Sequence, residues 1–260
     1  MALYRLALST VSRGAGRSAV AAAAYRAGAR LADVRTGQTH DYRRRAGVVR
    51  TALLGWRGSR SALWQAAEAA ERRRDAVVAR EVQLALPHEL GPAVRWVLAT
   101  EMAGWLRARY GVAVDLAVHR PHPAGDERNH HAHLLFTTRV VTADTFGAKS
   151  TLLDHHRTGS AELEAMRAQW AALLNAALAR AGRPERVDHR SYVRQGRPRE
   201  SEHLTRGARE LEARGVTTDR GDTQRARRRR NRTRLPRALP STHPAPAPVV
   251  APTPRRRLAR

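Results

Sequence analysis

Residues 112–141, "VAVDLAVHRPHPAGDERNHHAHLLFTTRVV", hold two strand-like runs around a segment of turn formers. The first run is "VAVDLAVH" (112–119), the second "HHAHLLFTTRVV" (130–141), and the loop is "RPHPAGDERN" (120–129). Together they predict an antiparallel hairpin. Side chains at i and i+2 of a strand share a face, so His131 and His133 point together and His130 points away. His119 ends the first run, and hairpin closure brings it beside the start of the second. Three imidazoles then converge on one sheet face, where they can hold a divalent ion and leave positions open for a substrate. Neutral imidazole suits Zn, Mn, Ni or Co. The competing reading is a group of ordinary surface histidines, and the agreement of strand face with hairpin geometry weighs against it. His122, in the Pro-flanked loop, and His155 and His156 have no such partners and read as loop residues.

Outward from the hairpin, "ALYRLALS" (2–9) and "VVAREVQLALP" (77–87) alternate like strands. Ser18 and four consecutive alanines predict a helix over 18–31. Further helices are expected over 59–76, over 91–111 between Pro92 and Gly111, and over 160–182 closed by Gly182. A short one is expected over 205–214, and "RTGQTHDYRRRAGVV" (35–49) reads as a turn followed by a basic, strand-like segment. The expected class is α/β in the α+β sense: a two-layer central antiparallel sheet flanked by helices. Its core strands lie near 2–9, 78–86, 112–119 and 131–140.

The charge balance narrows the partner. Lys and Arg number 48 against 23 Asp and Glu, a net charge of +25, and Lys149 is the sole lysine. Arginine forks pair bidentately with phosphate, so the composition points to nucleic acid. From Arg225 onward there are twelve Arg and no acid, around a Pro-rich "HPAPAPVVAPTP". Residues 224–260 are therefore expected to be a disordered basic tail behind a domain spanning 1–223. Without the tail, 36 basic against 23 acidic residues still leave +13. The absence of cysteine excludes disulfides and thiolate zinc sites. No apolar run reaches the roughly 18 residues of a membrane span. The first residues do not read as a signal peptide, so a cytoplasmic protein is expected.

Tyr25, in "AAAAYRAG", has little steric cover among its alanines. It is either a packed helix residue or a phenol that a DNA backbone can approach as a nucleophile. Tyr42, in the basic "HDYRRR", is the alternative nucleophile, and the residues by themselves do not choose between the two.

The segments "MALYRLALSTVSRGAGRSAVAAAAYRAG", "AREVQLALPHEL", "LAVHRPHPAGDERNHHAHLLFTTR" and "VDHRSYVRQG" resemble the MobA/MobL (MobQ-type) family of conjugative relaxases and the relaxase end of the longer TraA proteins. The resemblance runs in order from residue 1 to about 223, through "LEARGVTTDRGD". It implies an HUH endonuclease fold. The metal-binding pair matches His131 and His133, the third ligand His119, and the nucleophile Tyr25. Glu81 matches an acidic position near the active site, with a role in deprotonating Tyr25 or orienting a ligand histidine. Asp188, His189, Arg190 and Ser191 match a segment of structural or phosphate-contacting character. Arg26, Arg43, Arg44, Arg45 and Arg190 are the candidate DNA contacts. Many relatives carry Pro or Tyr where this chain has His130, on the face away from the metal, and no Walker A loop follows.

The implied function is metal-dependent nicking at a transfer origin, with Mg²⁺ or Mn²⁺ as cofactor and a 5′-phosphotyrosine intermediate. The implied partners are single-stranded origin DNA, relaxosome accessory proteins and a type IV secretion coupling protein. The alternatives are a non-enzymatic DNA-binding accessory protein with a structural metal, and an HUH replication initiator or transposase. A tyrosine preceding the histidines favours the relaxase order.

Overall fold

Among the described residues, the most completely buried strand lies next to the centre of a five-stranded antiparallel sheet. In the computed structural model, which describes residues 4–234 apart from 124, 193 and 197–203, this is β6, Val114–His119, buried along its whole length. It pairs with β7, His131–Thr137, on one side and with β4, Val48–Leu54, on the other. Strand β7 pairs with β5, Val77–Ala85, which pairs with β1, Leu6–Ser12. The order is β1-β5-β7-β6-β4. The predicted hairpin 112–141 is thus the core of the sheet.

Two hairpins lie outside the sheet: β2, Arg30–Asp33, with β3, Gln38–Asp41, and β8, Arg139–Thr142, with β9, Thr145–Lys149. Three expectations shift here. The helix predicted to reach residue 31 stops at Ala27, because Gly28 takes a left-handed φ of 60° and the chain turns into β2. β4 joins the core sheet as an edge strand. The run expected as one strand over 130–141 divides into β7 and β8, and the β8–β9 turn rests on Ala143 and Asp144 at positive φ, with no glycine to announce it.

Helices cover both faces of the sheet, so the expected pairing of sheet with helix occurs twice. On one face α3, Pro92–Tyr110, and α4, His156–Arg180, pack on Val82, Leu84, Leu116 and Leu134. On the other, α1, Ala19–Ala27, and α2, Arg60–Ala69, pack on Val11, Ala79 and Leu135. His155, read as a loop residue, is the N-cap of α4: its side chain accepts from the Arg157 N–H.

Helix α1 is held at its start. Ser18 accepts from the Ala21 N–H, and the buried Glu68 of α2 accepts from the Ala19 N–H at 2.8 Å. Glu68 also accepts from Arg13 and pairs with Arg35, each at 3.0 Å. Removing one partner from such a buried pair strands the other charge and costs about 3 kcal/mol. Glu68→Ala is therefore expected to lower unfolding free energy by about that amount in urea titration. A loss below ~0.5 kcal/mol would mean the arginines find other partners.

The chain divides into two compact units at residues 190/191, ahead of the boundary at 223 expected from sequence. The second unit contains α5, Arg206–Ala213, and α6, Asp219–Arg234. Glu212 accepts from the Thr218 N–H at 2.7 Å and pairs with Arg225. The expected basic tail from 224 thus begins as helix up to Arg234, and residues 235–260 lie outside the described residues. Among the described residues no helix is long and apolar enough to cross a membrane.

Candidate metal centre

The strand register brings the three predicted ligands together. His119 is the last residue of β6 and sits directly across from His131, the first of β7. His133, two residues on, shares the face and pairs with Ala117, whose small side chain leaves the ring room. The ring centroids are 4.9–5.2 Å apart. One ligand atom from each ring falls within 4.8 Å of the others.

One nitrogen of each ring is already engaged by an oxygen that can only accept. His119 Nε2 donates to the Arg26 carbonyl at 2.7 Å, His131 Nδ1 to the Asn129 carbonyl at 2.8 Å, and His133 Nδ1 to Glu81 Oε1 at 2.6 Å. These bonds fix the tautomers and leave the other nitrogen of each ring with its lone pair. Three neutral imidazole donors, all oriented from behind, fit a divalent cation. Among the described residues no other group of three or more His, Cys or carboxylate side chains could hold a metal.

Burial of His119 and His131 favours the neutral state of those two rings. Burial pushes the His119 pKa down to about 4, and the charges of His133, His131 and Arg45 push the same way against the bond to Arg26. Burial likewise lowers His131. Burial alone would raise Glu81, but hydrogen bonds from His133 and Arg26 outweigh it and hold its carboxyl at about 2. Glu81 is a fixed anion. Its oxygens face His133, both arms of the Arg26 fork, and Ser9 Oγ at 3.4 Å.

Arg26 corrects one expectation. It was placed among the DNA contacts, yet its guanidinium lies on Glu81 and is only 15% exposed. Its carbonyl takes the His119 bond, and its Nη1 donates to the Ala22 carbonyl. A fork already paired with a buried carboxylate is not free for phosphate. Arg26 instead fastens the end of α1 to the triad, through backbone and side chain at once. Sequence could not show this, because it depends on how α1 lands on the sheet.

Tyr25 precedes Arg26 and is 44% exposed. Its ring meets the edge of Tyr42 at 5.2 Å, and the Arg45 guanidinium lies over its face at 3.5 Å. The two candidate tyrosines are therefore neighbours. Tyr42 is half-buried against the α1–α2 core, while Tyr25 faces outward. Arg44 is exposed beside them, and Arg43 is exposed with its fork on Asp41. Arg190 lies apart from this group: its fork holds Asp188, and His189 faces Glu164 of α4 at 3.4 Å.

The sequence profile described as the MobA/MobL family matches residues 17–214. The chain belongs to the MobA/MobL family. Within the family it is 39% identical over 225 residues to the mobilization protein MobL of Acidithiobacillus ferridurans, covering 75% of this chain and 60% of that protein. It is 31% identical to the probable mobilization protein MobA of Bifidobacterium longum, covering 89% of this chain and 48% of that one. The MobA/MobL chain therefore spans about half the length of these curated relatives. Among solved structures, one described as the molecular basis of vancomycin resistance transfer in Staphylococcus aureus aligns with a TM-score of 0.64 and 28% identity. It covers 74% of this chain and all of that one. The match from residue 17 takes in α1, the triad and every strand of the core sheet of this MobA/MobL chain except β1.

Proposed function

We propose that the chain is a relaxase: a metal-dependent, strand-specific DNA-nicking enzyme that starts plasmid mobilisation and rejoins the strand afterwards. The observation that carries this reading is the docking of α1 onto the histidine triad through Arg26. Tyr25, exposed, is the residue before Arg26, whose carbonyl takes the His119 bond and whose fork holds Glu81, and the chain is strongly positive.

His119, His131 and His133 would hold the ion. A bound Mg²⁺ or Mn²⁺ would supply a Lewis acid for the oxygens of the scissile phosphate. Tyr25 Oη forms a bond to phosphorus, and the bond from phosphorus to the 3′ oxygen breaks. The tyrosine gives up its proton, and the departing 3′ oxygen gains one. The 5′ phosphate stays on Tyr25. One phosphodiester replaces another, so no nucleotide triphosphate is needed and the reverse reaction reseals the strand. Arg45 over the Tyr25 ring fixes its orientation and favours negative charge developing on its oxygen. Glu81, held as an anion at about 2, orients His133 and does not act as the base. Arg43 and Arg44 border the tyrosines and would track the DNA backbone. The expected partners are single-stranded origin DNA, accessory proteins of the nicking complex and a secretion coupling protein, met in the cytoplasm.

The test uses labelled single-stranded oligonucleotides tiled across the DNA flanking the coding region. With Mn²⁺, one of them is expected to yield a labelled protein band on a denaturing gel, and EDTA to remove it. Binding with no covalent band across the whole tiling set would favour an accessory DNA-binding role.

A further inference from the structure

Arg95 differs from the other arginines that are buried or largely covered. Arg13, Arg26, Arg60 and Arg80 each meet a carboxylate. Arg95, in the first turn of α3 and only 8% exposed, meets none among the described residues. Its Nη1 is fully buried and has no hydrogen-bond partner among the described residues. Burial lowers its pKa with no carboxylate acting against that effect. The acid in the preceding loop, Glu89, faces His88 at 3.1 Å instead. A desolvated guanidinium without a counter-charge is costly, and folds retain one where something anionic meets it.

The surroundings have the same sign. Helix α3 starts at Gly91 and Pro92 with no side chain capping its first N–H groups. The positive end of the helix dipole is therefore uncovered. Helical side chains lean toward the N-terminus, which carries Arg95 toward that end. The loop leading to α3 leaves the sheet beside the triad: Ala85, the last residue of β5, pairs with His131, and the Leu86 N–H donates to the His130 carbonyl at 2.8 Å. Next to Arg95 in the chain, Trp96 has Arg50 of β4 4.2 Å over its ring. Cations combined with an aromatic face suit single-stranded nucleic acid better than a free ion.

We infer that Arg95 and the uncapped start of α3 form a second anion site behind the triad, which takes a backbone phosphate of the strand being cut. This rests on the relaxase reading. Only residues 86–91 join that end of the sheet to the first turn of α3, so a strand leaving the triad over the start of β7 meets the start of α3 next.

The test uses the full chain and two probes, (dT)12 followed by fluorescence anisotropy and inorganic phosphate followed by thermal shift at matched ionic strength. Arg95→Met keeps the side-chain stem and removes the charge. It is expected to fold with a Tm no lower than the wild type. Its affinity for (dT)12 should fall about tenfold, and the slope of log K against log salt should shrink by about 0.7, the value of one single-strand phosphate contact. Arg95→Lys should restore most of the slope. Phosphate should raise the Tm of the wild type and not that of Arg95→Met. An unchanged slope in a folded Arg95→Met protein overturns the inference, whether or not phosphate stabilises it. So does a marked loss of Tm in that variant, which would give the charge a structural role. Failure of the wild type to bind (dT)12 counts against the relaxase reading instead, and the phosphate comparison then judges the anion site alone.

Discussion

Tyr25→Phe is expected to abolish the covalent DNA adduct and cut nicking by more than ~10³-fold, as loss of an enzyme's nucleophile does. The substitution removes one oxygen and leaves the ring. The edge contact with Tyr42 and the Arg45 guanidinium over the ring face both survive, since neither uses the hydroxyl. Binding of uncut DNA and thermal stability should therefore be unchanged. The loss falls on the chemical step, and kinetics under single-turnover conditions can isolate it. Tyr42→Phe is the informative control because the two rings touch. Tyr42→Phe keeps the ring, its packing on the α1–α2 core and the edge contact with Tyr25, so nicking and the covalent adduct should be retained. Equal, complete loss in both variants would mean that the pair acts as a unit.

The second large effect concerns the triad. His133→Ala removes a ligand and leaves Glu81 facing only Arg26 and Ser9. Mn²⁺ binding in calorimetry and nicking should be lost together, with nicking falling by at least ~10²-fold for a metal that stabilises the transition state by several kcal/mol. Glu81→Ala should do less. It leaves all three ligands and removes the orienting bond to His133, which typically costs 10–100-fold in metal affinity. Excess Mn²⁺ should then rescue Glu81→Ala and fail to rescue His133→Ala. If Glu81 were the base for Tyr25, excess metal would restore nothing in Glu81→Ala.

The triad was legible in the sequence because it rests on two short-range rules. The strand period of two separates His130 from His131 and His133, and hairpin closure recruits His119. The sheet core was legible for the same reason: β5, β6 and β7 are continuous apolar or alternating runs. Other features depend on contacts between distant segments. Nothing in "AYRAG" announces that the Arg26 carbonyl will meet His119, 93 residues on, or that its fork will meet Glu81. The same holds for Glu68, which looks like a surface residue of an amphipathic helix and turns out to hold the start of α1. Gly28 carried its signal openly, yet helix propensity in the alanine run masked the end of α1. The β8–β9 turn gave no signal, because Ala143 and Asp144 adopt positive φ without a glycine. Arg95 reads from sequence as one more arginine in an Arg-rich chain, and only its burial without a carboxylate marks it out.

In the proposed reaction Tyr25, next to Arg26 at the end of α1, takes the 5′ end of the cut strand. Trypsin would release it in the peptide Ser18–Arg26 and Tyr42 in the peptide Thr36–Arg43. Mass spectrometry of the nuclease-trimmed adduct measures which of the two carries the nucleotide. The account predicts the nucleotide mass on Ser18–Arg26, with fragmentation placing it at Tyr25. The same mass on Thr36–Arg43, with Ser18–Arg26 unmodified, would contradict it.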